Sequence, residues 1–299
     1  MLIAAPVALL LVACGGGGGT QAGSESTAQS SSGSSGSSQS ASSASSTAST
    51  SSPSSAASTS SAASATPTSE PTGLDLTCAR TQARVPGAKP ITYAGPGGAT
   101  LSGAVVGSGT NAAVFVHQSD EGFCGFWPYL STLPTPGFTG YLVNLCGYAG
   151  ARCEPGTPFY GDRQGQLRAV VQEARKRGAK RVTLVGASMG GSMAAGFGKA
   201  LGADAVVDLS GPGQWHEAPT AAQAAPTLTM PVLAAMSAQD SGDRAPVEAM
   251  VQAAPSQHKA FVWLEAGHGW ELLTEHADAR DTLTPLGERV TRWIRGDVS

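Results

Sequence analysis

From residue 91 onward, short apolar runs alternate with longer stretches whose apolar positions recur at helical spacing. Eight runs read as strands: Ile91–Ala94, Thr100–Val106, Ala112–His117, Gly140–Leu145, Arg181–Gly186, Asp204–Leu209, Met230–Ser237 and Ala260–Glu265. The first two flank Gly95-Pro96-Gly97-Gly98 and read as a hairpin. From the third strand on, helical stretches intervene at about Phe126–Thr132, Arg163–Arg177, Met189–Leu201, Ala245–Ala253 and Leu283–Arg295. The 163–177 stretch sets Leu167, Val170, Val171 and Ala174 on one face, then ends in a basic turn and Gly178. Alternation at this spacing requires crossover connections. It therefore predicts an α/β fold: a mainly parallel eight-stranded twisted sheet with helices on both faces.

The pattern fails before residue 76. Residues 20–72 are mostly Ser, Ala and Thr, with Glu25 and Glu70 the sole charges and no aromatic residue. Such a segment buries too little apolar surface to offset its ordering entropy, so 14–75 reads as a disordered linker and 76–299 as one folded domain. Of 21 acidic residues two lie in residues 20–72, leaving 19 against 18 basic ones, a net charge near −1. That balance offers no electrostatic footprint for nucleic acid.

Met1–Ala13 is apolar but short for a membrane span. It runs into Leu11-Val12-Ala13-Cys14-Gly15, which resembles the bacterial lipobox. The resemblance implies a signal peptide over 1–13, cleavage before Cys14, a diacylglyceryl group on its thiol, and an extracytoplasmic protein anchored to the cell membrane. Two acyl chains suffice for stable anchoring. A flexible linker of about 60 residues would span roughly 40–45 Å, keeping the domain clear of the bilayer yet close to it. Cys78, Cys124, Cys146 and Cys153 remain, an even number suited to two disulfides in an exported domain. Three connectivities are open: Cys146–Cys153 would close a short loop, and Cys124–Cys146 would leave Cys78 for Cys153. No Cys-x-x-Cys and no ligand-spaced His suggest a metal, and no cofactor is implied.

The chemistry centres on Gly186-Ala187-Ser188-Met189-Gly190, between the strand at 181–186 and the helix at 189–201. Gly-x-Ser-x-Gly at a strand-to-helix turn is a nucleophile elbow: the strained turn lifts the serine hydroxyl off the sheet end and aims helix N–H groups at it. This stretch resembles the nucleophile region of the α/β-hydrolase superfamily, and the strand pattern extends the resemblance over about Ile91–Arg295. It is most similar to the small secreted esterase and dienelactone-hydrolase-like branches.

The resemblance implies an order of serine, acid, histidine. Asp240, three residues past the strand ending at Ser237, is the expected acid. Asp243 is the alternative, because Asp243-Arg244-Ala245-Pro246 also resembles the family pattern, and Asp208 is a third choice. His268, between two glycines after the last strand, is the expected base, whereas His216, His258 and His276 read as surface residues. The expected oxyanion donors are the backbone N–H groups of Met189 and Ser119, with Gln118 as the alternative to Ser119, since Gln stands where the family usually has Gly. His117 reads as a residue that orders the loop.

The segment 210–229 is too short for a large lid, so an open, shallow pocket is expected. Phe123, Phe126, Trp127, Trp215 and Trp270 either line it or pack loops onto the scaffold. The implied activity is a serine carboxylesterase acting on small-molecule esters with short to medium acyl groups. Peptidase, thioesterase or acyltransferase chemistry on the same fold stays open, as does a non-catalytic ligand-binding surface lipoprotein.

Overall fold

The structure, a computed structural model, describes residues 85, 87–120, 122–133, 136–148, 151, 153–275 and 282–299. The lipobox, the linker, Cys14, Cys78 and His276 lie outside them. Among the described residues no helix is long and apolar enough to cross a membrane.

Eight strands form one open sheet: β1 Lys89–Ala94, β2 Thr100–Gly107, β3 Asn111–Val116, β4 Thr139–Val143, β5 Arg181–Ala187, β6 Ala205–Leu209, β7 Val232–Ser237 and β8 Lys259–Leu264. Their spatial order is β1-β2-β4-β3-β5-β6-β7-β8. The first two pairings, β1–β2 and β2–β4, are antiparallel, and every later one is parallel. All eight expected strands are present, with ends shifted by one or two residues at most positions. The central strands β5, β6 and β7 are buried along almost their whole length. That is what apolar, β-branched runs predict for parallel strands covered on both faces.

The helices are α1 Trp127–Ser131, α2 Pro158–Gly161, α3 Arg163–Lys176, α4 Met189–Phe197, α5 Ala221–Ala224, α6 Arg244–Ala253 and α7 Pro285–Arg295. One core packs α3, α4, α5 and α6 on one sheet face, through residues such as Leu167, Val170, Met193 and Met250. A second core packs α1 and α7 on the other, through Trp127, Leu130, Val290 and Trp293. Local signals set the ends. Asp162 caps α3 by accepting from Gly165 N at 2.8 Å, and Thr284 caps α7 by accepting from Gly287 N at 3.0 Å. Gly296 closes α7 in the left-handed conformation, φ 99°.

The two short helices α2 and α5 carried no expectation. Both are single turns in the connections that rise over the carboxyl end of the sheet. Parallel strands direct all their outgoing loops to that end, and the candidate residues collect there.

Candidate active site

Ala187 ends the buried run of β5 and α4 starts at Met189. Ser188 joins them at φ 51°, ψ −120°, a conformation that costs a non-glycine residue energy. The flanking glycines make the turn possible. A Cβ on Gly186 would stand 1.9 Å from Gly190 O, and one on Gly190 would stand 2.2 Å from Val116 O and 2.7 Å from His117 O. The start of α4 thus lies against the backbone at the end of β3, beside the loop that carries Gln118 and Ser119. The Ser188 N–H donates to Leu209 O at 2.7 Å, and the Ser188 carbonyl accepts from Gly191 N, opening the helix.

After β7 the chain makes a single turn, Ala238–Asp240. Asp240 folds back, and its Oδ2 accepts from Ser237 N at 3.0 Å. The carboxyl group is 6% exposed, and His268 Nδ1 lies 2.6 Å from its Oδ1. Against a carboxylate, which only accepts, Nδ1 carries the hydrogen and Nε2 is the basic nitrogen. The His268 side chain is 37% exposed. The loop holding it is tied at both ends. Ser237 Oγ donates to Gly267 O at 2.5 Å, and Glu271 Oε2 accepts from His268 N at 3.2 Å.

The two other carboxyl groups point elsewhere. Asp243 Oδ1 accepts from Gly213 N at 2.9 Å, tying the loop after β6 to the start of α6. Asp208 is buried at the end of β6, where its Oδ1 accepts from Gly211 N at 2.8 Å. Burial, reinforced by the nearby Asp240 and Asp243 charges, pushes Asp208 up to about 7 against the pull of the Gly211 N–H. Sequence spacing left Asp240 and Asp243 as rivals; only Asp240 faces the imidazole.

His117 is fully buried, and both ring nitrogens are engaged. Nδ1 donates to Gln118 O at 2.5 Å, and Nε2 accepts from Leu145 N at 3.0 Å. Burial, with Arg163 nearby, lowers it to about 4, so it stays neutral while it fixes the backbone of the 117–119 loop. Ser119 is exposed and Gln118 partly so. The Gln118 side chain turns inward, its Oε1 buried without a hydrogen-bond partner.

Two features were missed from sequence. Ser210, just past β6, donates from Oγ to Asp240 Oδ2 at 2.7 Å and accepts from Gly269 N at 3.0 Å. A lone serine after a strand carries no signal for such a role. Glu217, in the loop after β6, accepts from Arg163 Nε and Nη2 at 2.9 and 2.6 Å and from the Tyr148 hydroxyl at 2.5 Å. This joins the β4–α3 and β6–α5 connections across the sheet end. The same β4–α3 connection carries the disulfide Cys146–Cys153. That pairing selects the short-loop option and rules out Cys124–Cys146. Cys124 is itself disulfide-bonded.

The aromatic residues mostly pack rather than line an opening. Phe123, Phe126, Trp127 and Trp270 are each at most 3% exposed. Trp270 lies on Gly125, where a Cβ would meet its ring at 2.2 Å, and it packs edge-on against Phe126 with ring centroids 6.0 Å apart. Only Trp215 among the five is partly exposed. Cavities of about 620, 650 and 630 Å³ lie around the domain, and Ser188 lines none of the three. His216 and His258 are exposed. Among the described residues no three His, Cys, Asp or Glu side chains are grouped to hold a metal.

No protein-family model and no curated sequence matches the chain. Solved structures do. The esterase domain of a Rhodothermus marinus protein matches with a TM-score of 0.52 at 18% identity, covering 71% of this chain and all of that one. A soluble variant of monoglyceride lipase from Saccharomyces cerevisiae matches with a TM-score of 0.51 at 10% identity, covering 73% and 98%. Dienelactone hydrolase from Anabaena variabilis matches with a TM-score of 0.50 at 17% identity, covering 70% and 99%. The fold of this chain is the α/β-hydrolase fold.

Proposed function

We propose that this protein is a serine hydrolase that cleaves carboxylic esters of short to medium acyl length through an acyl-enzyme. Ser188 Oγ attacks the ester carbonyl. His268 Nε2 takes the hydroxyl proton and returns it to the leaving alcohol, while Asp240 orients the ring and stabilises the imidazolium. The backbone N–H groups of Met189 and Ser119, or Gln118 in place of Ser119, receive the oxyanion. Water, activated by His268, then releases the acid and restores Ser188. The observation that carries this reading is the Asp240–His268 contact of 2.6 Å at the sheet end where the strained Ser188 turn stands. The esterase and lipase neighbours support an ester as the bond cleaved.

The test is hydrolysis of p-nitrophenyl butyrate by the wild type and Ser188→Ala, together with labelling by a fluorophosphonate. The substitution is expected to lower kcat by ~10⁶-fold and to abolish labelling. Equal rates would end this reading. The same proposal places the enzyme outside the cytoplasm, held to the membrane by a diacylglyceryl group on Cys14. Detergent-phase partitioning of the cell-expressed protein, lost on Cys14→Ser, checks it; equal partitioning of both would refute the anchor.

A further inference from the structure

Among the described residues two non-glycine positions have positive φ: Ser188 at 51° and Ser210 at 58°. The first is the elbow. The second stands at the end of β6, the strand next to β5. A glycine would adopt that backbone without a steric penalty. What serine adds is a hydroxyl group, and that hydroxyl is used twice, donating to Asp240 Oδ2 and accepting from Gly269 N. Ser210 is 2% exposed, so neither bond competes with water. Its own N–H is fixed on Ala235 O of β7 at 2.7 Å.

We infer that Ser210 is the positioning residue of the acid–base pair, an inference that rests on the hydrolase reading above. Asp240 and His268 sit on two different loops, after β7 and after β8. A carboxylate with one oxygen on an imidazole still rotates about its Cβ–Cγ bond unless the other oxygen is held. Ser210 and the Ser237 N–H hold that second oxygen. Through Gly269 N, Ser210 also fixes the residue immediately after the base. The residue before it, Leu209, receives the Ser188 N–H. Leu209 and Ser210 therefore link the nucleophile turn on one side to acid and base on the other. Displacements well under an ångström matter at this junction, because proton transfer needs a short, aligned contact.

Ser210→Ala removes the hydroxyl while keeping the Cβ. Ser210→Gly removes it and relieves the φ 58° backbone, and the melting temperature of each variant is measured beside its kinetics. Each is titrated with a fluorophosphonate to count active sites, and p-nitrophenyl butyrate kinetics are expressed per titrated site. Both variants are expected to lose about 10–100-fold in kcat per site, the loss that goes with one hydrogen bond to a charged group, with KM changed less than threefold. A purely structural role would lower the number of sites or the melting temperature and leave the rate per site intact. A rate per site within twofold of wild type in Ser210→Gly would overturn the inference. So would a loss confined to KM. The hydrolase reading fails separately, through an active Ser188→Ala or a wild type that never labels.

Discussion

Gln118 Oε1 occupies the space that a side chain at residue 269 would need: a Cβ on Gly269 would stand 2.5 Å from it. Gly269 has φ 60° and follows His268 directly. The inward-turned glutamine at 118 is therefore matched by a glycine in the facing loop.

Gly269→Ala is expected to push the Gln118 amide and the base loop apart and to lower kcat/KM by at least ~10-fold, with about 1 kcal/mol lost to the left-handed backbone alone. Gln118→Gly in the same chain should restore part of the activity and none of the backbone cost. A double-mutant cycle on p-nitrophenyl butyrate measures the coupling. Strictly additive effects would show that the two loops do not compete for that space.

Asp240 and Asp243 are three residues apart but serve different partners, His268 and Gly213 N. Asp240→Asn is expected to lower kcat by ~10⁴-fold, the scale of acid loss in comparable triads. Asp243→Asn should stay within about fivefold of wild type, because an amide oxygen still accepts from Gly213. Steady-state kinetics of the pair decide it, and a reversed order would move the acid to 243.

Arg163 and Glu217 form an ion pair with side chains 7% and 18% exposed. Burial pushes Glu217 up, but its hydrogen bonds from Arg163 and Tyr148 prevail and hold it below the usual glutamate range. Its stabilising contribution is therefore present above that range and is lost as pH falls through its folded-state value. Glu217→Gln leaves the guanidinium without its counter-charge and should cost roughly 1–2 kcal/mol near neutral pH, between the scales of exposed and buried pairs. Urea unfolding at pH 7 and pH 3 should show the gap between variant and wild type narrowing in acid. An equal gap at both would refute the electrostatic account.

Asp208 behaves in the opposite sense. Its folded-state value, about 7, lies above that of an ordinary aspartate, chiefly because it is buried. The folded protein thus holds this proton more tightly than the unfolded chain. The stability it contributes is complete below the ordinary aspartate range and is lost as pH rises toward 7. Asp208→Asn keeps the acceptor for Gly211 N and removes the ionisation. It should raise stability at pH 8 by on the order of 3 kcal/mol and change little at pH 4. Melting curves at the two pH values test this, and no gain at pH 8 would contradict it.

Much of this molecule is local and so was readable in the chain. Runs such as Val182–Val185 and Val232–Met236 are buried on both faces, as parallel central strands covered by helices on each side are. The glycines at 186 and 190 are required by contacts within a few residues of Ser188 or by the neighbouring strand end, and they left their mark as a motif. The tertiary structure alone decided which carboxyl group faces His268, which cysteine pairs with Cys146, and that Phe123, Phe126, Trp127 and Trp270 are buried. It also brought Ser210 and Glu217 to their partners 30 and 54 residues away. The reason is geometric. Loops leaving a parallel sheet meet at one end whatever their separation in sequence. A single serine or glutamate acquires its role from the strand order that delivers its partner, and that order is fixed by packing across the whole sheet.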